Sequence, residues 1–328
     1  MHHFVNRRSG LPHPYFMLLM APVIWSSSNV IGKLSVGLLS SYQLTFYRWL
    51  VATVVLGLMF WRRIRADGSQ LLAHKWWFLI WGGSAFCVFN LLLYSAFAYG
   101  ARAVNVAIIH SLIPVMTLVL SVLLMRQRVH YLQGVGIGCS LFGVLWLLTD
   151  GALGALLSWR PTPADSLILI SAVIYAAYSL ALRRAPSSVH WSSQMWAMCL
   201  AALLVATPFW LFDSLRGSQW HWLEPEHPSS LQITRALAII VYVGIFIAII
   251  SKLFYMEGVI ALGGNRAALV MNLLPLFSTA MALAVFADER AGFSSVYWVA
   301  LGCVSLGIVL SEFGARRRAR LCERVMAE

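Results

Sequence analysis

Two stretches of this chain repeat one pattern: YSAFAYGARAVNVAIIHSLIP at residues 94–114 and YMEGVIALGGNRAALVMNLLP at residues 255–275. Each begins with a tyrosine, is mostly apolar, and ends twenty residues later in a proline, where a helix would otherwise continue. Two later segments also correspond, because GCSLFG at residues 138–143 resembles GCVSLG at residues 302–307. A pattern that returns after about 160 residues predicts a protein made of two related halves.

The composition places most of the chain in a lipid environment. Hydrophobic residues make up 60% of the sequence and charged residues 11%, with a mean hydropathy of +0.77. Soluble domains carry roughly 25% charged residues. The net charge of +12 does not predict a nucleic-acid partner, because the basic residues lie in short loops between apolar runs. That placement is typical of the charges that orient membrane proteins.

Ten segments are apolar and long enough to cross a bilayer, for which roughly 20 residues are needed. They are residues 15–34, 42–60, 76–98, 103–125, 132–148, 166–182, 191–212, 236–256, 266–286 and 295–313. We therefore predict an all-α integral membrane protein with ten transmembrane helices. The predicted regions are an N-terminal segment (1–14), a first five-helix repeat (15–148), a connector (149–165), a second five-helix repeat (166–313) and a basic tail (314–328).

The basic residues are distributed unevenly between the two sides of these spans. Of the 24 Lys and Arg residues, 16 fall on the side of both chain termini, six fall on the other side, and Arg48 and Lys252 lie inside spans. The side richer in Lys and Arg is cytoplasmic, so we predict a bacterial-type inner membrane protein with both termini in the cytoplasm. Because each half has an odd number of spans, the second half would be inverted relative to the first.

Several motifs resemble those of a known family. GGNRAA at residues 263–268 precedes the proline of span nine, ADER at residues 287–290 follows that span, and FYRW at residues 46–49 places an arginine among aromatic residues. With the glycine-rich fifth and tenth spans, they resemble the ten-helix EamA branch of the drug/metabolite transporter superfamily. RQR at residues 126–128 departs from the acidic turn that is usual in that family.

The resemblance covers nearly the whole chain and implies a function. It implies secondary transport of small metabolites, often the export of amino acids, including aromatic ones in certain bacterial members. It also implies that no cofactor or metal is bound. The expected partners are a small-molecule substrate and the lipid bilayer, without nucleic acid, and both a monomer and a homodimer stay open.

Polar and aromatic side chains inside the spans are the candidates for a substrate cavity, because such groups at membrane depth either join helices or line a cavity. The candidates are Trp25, Asn29, Arg48, Asn90, Tyr94, His110, Tyr175, Tyr178, Lys252 and Asn272. A structural role stays open for each of them. For example, Arg48 could be a hydrogen-bond hub, and His110 could be a neutral side chain in a helix contact rather than a proton carrier.

Pro114 and Pro275 are the candidates for gating kinks. A proline has no N–H and crowds the carbonyl four residues earlier, which belongs to His110 in one case and to Met271 in the other. A carbonyl freed in lipid needs another partner. Static kinks are the structural alternative, and otherwise we expect the substrate cavity to lie between the two prolines.

Other classes of function have less support in the sequence. The chain contains no HExxH, DDxxD or Walker motif that would indicate a membrane-embedded enzyme, and no filter-like repeat that would indicate a channel. A sugar-phosphate, nucleotide-sugar or drug carrier of the same superfamily is the main alternative. Arg48 and Lys252 are the only Lys or Arg residues away from the ends of the predicted spans, which favours a monoanionic or zwitterionic substrate.

The predicted orientation can be tested with reporters at the C-terminus. A reporter that fluoresces only in the cytoplasm should be bright when fused after Glu328, because the charge distribution places this end inside the cell. The control is an enzyme reporter that is active only outside the cytoplasm, which should be inactive at the same position. A dark fluorescent fusion on a folded protein would contradict this topology.

Overall fold

The computed structural model describes residues 13–125, 130–152, 154, 162–216, 229–262, 270–271 and 273–327. Its regular elements in these ranges are all helical. In chain order the helices are α1 Pro14–Leu34, α2 Ser41–Ala66, α3 Gly68–Ala73, α4 Lys75–Ala98, α5 Ala103–His110, α6 Ile113–Met125, α7 Tyr131–Leu148, α8 Pro163–Ala181, α9 Trp191–Leu215, α10 Ser230–Leu262, α11 Leu274–Val285, α12 Ala287–Ala291 and α13 Ser295–Ala327.

The helices confirm the prediction of a multi-pass, all-helical membrane protein. In the described ranges, nine helical stretches have the length and hydropathy to cross a bilayer, with α5 and α6 counted as one stretch. Helix α11 is apolar but shorter, and it lies in the predicted ninth span, 266–286. Residues 263–269 and Asn272 lie outside the described part of the chain. The fold therefore has nine to ten spans.

The ends of the spans follow from local sequence signals. Ser40 caps α2, since its hydroxyl accepts from the Gln43 amide at 3.1 Å and the Gln43 side chain accepts from the Ser40 amide at 3.1 Å. Helix α8 begins in a similar way, with the Thr162 hydroxyl accepting from the Asp165 amide at 3.1 Å. Each cap satisfies an amide that the first helical turn leaves without a partner.

The two prolines begin new helices instead of bending continuous ones. Helix α5 ends at His110 and α6 begins at Ile113, so Pro114 lies in the first turn of α6, where its missing N–H removes no helical hydrogen bond. Pro275 has the same place in α11. The Ser26 hydroxyl, from α1, donates to the carbonyl of Leu274 at 3.0 Å. The kinks that the sequence predicted are therefore breaks between helices. At the break before Pro275, the Ser26 hydroxyl of α1 supplies a hydrogen bond to the start of α11.

Helices α4 and α10 each contain a stretch of π-helix. These stretches are Gly82–Val88 and Tyr242–Ile250, so their starting residues differ by about the same 160 positions as the two repeated prolines. The first packs on α9 and the second on α2. The contacts are close, because a Cβ on Gly82 would lie 2.7 Å from the Met198 carbonyl oxygen and a Cβ on Gly244 would lie 2.7 Å from the Val51 Cβ.

Helices α7 and α13 approach each other closely. A Cβ on Gly307 would lie 2.5 Å from the carbonyl oxygen of Gly136, and a Cβ on Gly143 would lie 2.8 Å from that of Ala300. Because the partner number falls as the residue number rises, the two helices run antiparallel. Small residues allow this approach, which is the usual basis of tight helix packing in membranes.

Helix α13 is longer than the predicted tenth span. The prediction ended that span at residue 313 and assigned residues 314–328 to a tail, but the helix continues without a break to Ala327. The sequence beyond Gly314 is rich in Arg and Ala, which are strong helix formers, and it contains no proline to end the helix. The basic segment is thus a helical extension of the span.

Valine substitutions at two glycines of α13 should separate packing from helix propensity. Gly307→Val should lower the free energy of unfolding by about 1–3 kcal/mol, the cost of overpacking a close contact. Gly302→Val is the matched control, since a Cβ there meets nothing within 4 Å. Thermal unfolding in detergent measures both variants, and equal losses of stability would contradict the packing described for α7 and α13.

Candidate functional site

Arg48 is held inside the bundle by two neutral hydrogen-bond acceptors. Its side chain comes from α2, is 7% exposed, and donates from Nη1 to Asn90 Oδ1 at 2.9 Å and to Tyr94 Oη at 2.6 Å, both on α4. Asn90 in turn donates to the carbonyl of Phe86 at 2.6 Å, which also accepts from the indole of Trp49 at 3.1 Å. The network ties α2 to the π-helical stretch of α4.

Lys252 has an aromatic environment. It lies in α10, two residues after the π-helical stretch, with Nζ 4.8 Å from the ring centroid of Phe86 and 5.8 Å from that of Trp25. Trp25 also contacts Tyr255, with 5.5 Å between the ring centroids. Within the described ranges, no carboxylate lies at ion-pair distance from Nζ and no acceptor is hydrogen-bonded to it.

A row of rings continues from Lys252 toward the break at Pro114. Phe86 contacts Tyr178 at 5.8 Å, Tyr178 contacts Tyr175 at 5.6 Å, and Tyr175 contacts Phe89 at 5.1 Å between centroids. Phe89 stacks on His110 at 5.2 Å, and His110 Nε2 is hydrogen-bonded to the hydroxyl of Ser171 at 2.8 Å. The row thus ends at the residue that closes α5.

Most of the side chains that the sequence predicted for the site are therefore neighbours. Those that the structure connects are Trp25, Arg48, Asn90, Tyr94, His110, Tyr175, Tyr178 and Lys252. We call this set, together with Phe86 and Phe89, the central cluster. It combines helices from both predicted halves of the chain and contains two cations among aromatic rings.

Of the two remaining predicted site residues, Asn29 lies apart from these contacts and Asn272 cannot be placed. Asn29 donates to the hydroxyl of Ser278 at 2.8 Å and so joins α1 to α11. It belongs with Ser26 to the polar contacts that support α11 near Pro275. Asn272 lies outside the described residues, so its predicted role stays a prediction.

The sequence analysis missed Phe86 and Phe89, although they occupy the middle of the central cluster. Phenylalanines are common in apolar spans and nothing in their spacing distinguishes these two. The distinguishing feature is the π-helical stretch, which places the Phe86 carbonyl within reach of both Trp49 and Asn90. Such stretches often occur at functional sites, but the residue patterns that predict helices give no signal for them.

A second group of charges, at the ends of α1, α5 and α12, is fully paired. The carboxylate of Glu289 is completely buried and accepts from Lys33 at 2.8 Å, from Arg102 Nε at 3.3 Å and from the Ala103 amide at 2.6 Å. Lys33 also binds the exposed Asp288 at 2.7 Å, and this hydrogen bond lowers the pKa of Asp288. Since each charge has a partner, this group serves to join helix ends.

The C-terminal end of α2 is joined to the start of α9 through Asp67, the residue that directly follows α2. The carboxylate of Asp67 accepts from the His190 amide at 3.2 Å and lies 3.4 Å from Arg63 Nε. Burial raises the pKa of Asp67, but the nearby Ser193 hydroxyl, the hydrogen bond from the His190 amide and the charge of Arg63 outweigh it, so the pKa lies below its ordinary value. In the described ranges, no group of three His, Cys, Asp or Glu side chains is placed to hold a metal ion.

Comparison with known proteins assigns the fold to a family. The model of the EamA-like transporter family matches residues 13–149 and again residues 162–312. The chain belongs to this family. As an EamA-like transporter it is a multi-pass membrane protein, which in bacteria implies the plasma membrane.

Two individual proteins are similar to this EamA-like transporter. The uncharacterized transporter YyaM of Bacillus subtilis (strain 168) is 23% identical over 274 residues, which cover 83% of this chain and 85% of YyaM. A protein crystal structure matches with a TM-score of 0.55 and 20% identity, covering 93% of this chain and 98% of the other. At this identity the crystal structure shows a shared fold.

Glu289→Gln should destabilise the transporter, because Lys33 and Arg102 would lose the charge that compensates them. Breaking a buried ion pair costs about 3–5 kcal/mol, and the partial exposure of both cations, at 20% and 30%, favours the lower end of this range. Thermal unfolding in detergent is the measurement. The control is Asp288→Asn, at an exposed position, which should stay close to wild type; a wild-type melting temperature for Glu289→Gln would contradict the structural role.

Proposed function

We propose that this EamA-like transporter exports small metabolites by alternating access, and that amino acids with aromatic or apolar side chains are its substrates. The observation that carries the proposal is the central cluster, in which Arg48 and Lys252 lie among aromatic rings. A carboxylate would bind to a cation there. The rings would surround an apolar side chain and attract the amino group through cation–π contacts.

An inverted repeat is the architecture that we propose for this transport. The family model matches the chain twice, which supports repeats at residues 15–148 and 166–313 on either side of a connector at 149–165. Helices α7 and α13, which carry the corresponding glycine motifs, run antiparallel. In addition, α4 packs on α9 while α10 packs on α2, which is the exchange of partners that a pseudo-two-fold axis in the membrane plane would produce.

The orientation that we propose has both termini in the cytoplasm of a bacterial cell. The charged contacts agree with it, because Lys33, Arg102, Asp288 and Glu289 meet at one end of the bundle, as their loops were predicted to do on the outer side. Arg63, Asp67 and His190 meet at the other end, on the predicted cytoplasmic side. The basic extension of α13 would then be cytoplasmic as well.

The helix breaks supply a mechanism for opening one side at a time. Pro114 and Pro275 begin the second segments of their spans, so the segments before and after each break can tilt without losing a helical hydrogen bond at the proline. The row of rings from Phe86 reaches His110, directly before the first break. Tilting there would change access to the central cluster, which is how we propose that the two breaks act as gates.

A carrier of sugar phosphates or nucleotide sugars is the alternative within the superfamily. Such substrates carry two or more negative charges and need several cations facing one cavity. The described part of the central cluster has two, and the Nη1 group of Arg48 is already bound to Asn90 and Tyr94. This arrangement favours a single carboxylate.

Flux measurements in proteoliposomes test the proposal. Labelled L-phenylalanine, L-tryptophan and L-leucine should cross protein-containing liposomes faster than empty ones, with and without a pH gradient, whereas glucose 6-phosphate should not. Phe89→Ala should lower the flux about tenfold, the effect of losing aromatic contacts. Phe142→Ala, on the exposed face of α7, is the matched control. No flux of any amino acid through folded protein would refute the substrate class, and flux of glucose 6-phosphate alone would favour the alternative.

A further inference from the structure

The two cations of the central cluster differ in their partners. Arg48 is buried and donates to Asn90 and Tyr94, so that its guanidinium links α2 to α4. Lys252 is partly buried and faces the rings of Phe86 and Trp25. Among the residues that the structure describes, it has neither an ion pair nor a hydrogen bond. Arg48 therefore has a structural task, whereas the ammonium of Lys252 is available.

An ammonium in this position favours the binding of an anion. Both cations lie beside Phe86, because Lys252 Nζ is 4.8 Å from its ring centroid and Asn90, which binds Arg48, donates to the Phe86 carbonyl, so they contribute positive potential to the same region. A charge inside a membrane bundle is costly unless it is compensated, and rings compensate a cation only in part. A bound carboxylate would remove this cost and gain charge-assisted hydrogen bonds.

The surroundings of Lys252 restrict the remainder of the ligand. Trp25 and Phe86 face Nζ, and Tyr255 and Tyr178 extend this aromatic rim through their contacts with Trp25 and Phe86. Among the described residues of the central cluster, a second negative charge on the ligand would have only Arg48, whose Nη1 already donates to Asn90 and Tyr94 and whose Nε is buried away from the surface. The rim therefore suits a compact apolar or aromatic body that carries one carboxylate.

We infer that Lys252 binds the carboxylate of the transported metabolite, and that the substrate class is aromatic or apolar monocarboxylates, with or without an amino group. This inference rests on the proposed transport function and specifies it, because it assigns the charge recognition to one side chain. The amino group of an amino acid would contact the aromatic rim and contribute less to binding than the carboxylate.

Equilibrium binding to the full-length protein in lipid nanodiscs tests the assignment with three probes: L-phenylalanine, 3-phenylpropionate and L-phenylalaninamide. Wild-type protein should bind both carboxylates about 10- to 100-fold more tightly than the amide, the size of effect that one charged hydrogen bond gives. Lys252→Gln should lose this preference by weakening the two carboxylates and leaving the amide nearly unchanged, and Lys252→Arg should retain a large part of it.

Lys75→Gln is the matched control, because Lys75 also lies over a tryptophan ring, at 5.7 Å from Trp76, but at the exposed start of α4. It should bind all three probes as wild type does. A carboxylate preference that persists in Lys252→Gln overturns the assignment while the flux assay can still support transport. If folded wild-type protein binds none of the probes, the monocarboxylate class is refuted, and flux of other metabolites then decides the transport function separately.

Discussion

The lack of water in the bilayer is the constraint on which the rest of this structure depends. Backbone polar groups inside the membrane need partners within the protein, because lipid offers none. The spans are therefore helical, and several serines and threonines inside them donate their hydroxyls to nearby carbonyls, as Thr45 does to Ser41 at 2.7 Å. The irregular backbone at the breaks follows the same rule, because Ser111 donates to Ile108 and Ser26 donates to Leu274.

The same constraint separates the charges of this transporter into two kinds. Glu289 is surrounded by donors from two other helices, so its charge is compensated and holds helix ends together. Arg48 is solvated by a neutral amide and a phenol, which replace water without cancelling the charge. Among the residues that the structure describes, Lys252 has the aromatic faces of Phe86 and Trp25 near its ammonium and no hydrogen-bond acceptor. The charges thus range from Glu289, which is compensated and joins helix ends, to Lys252, which is only partly compensated and belongs to the proposed binding site.

The sequence predicts the spans well because apolar length is a local property, and Arg48 and Lys252 were recognisable as cations inside those spans. Pro114 and Pro275 marked the right positions, although local rules could not distinguish a bent helix from two helices. The burial of Glu289 and the π-helical stretches were not predictable, since both result from packing between distant segments. The position of Phe86 in the central cluster was not predictable either, because Phe86 lies in one of these stretches. The length of α13 was missed for another reason: the helix continues past the apolar span because no proline ends it.

The contact between α7 and α13 has a consequence for how the sequence can change. Gly136 and Gly307 bring the two backbones together, and each would meet a carbonyl oxygen with its first additional carbon. Glycine is the smallest residue, so no single substitution at these two positions can improve the fit, and each one adds atoms where there is no room. The outward positions Gly134, Gly138 and Gly302 face open space and are free to vary. Related chains can therefore differ at most positions of these helices while the line of approach between them is preserved.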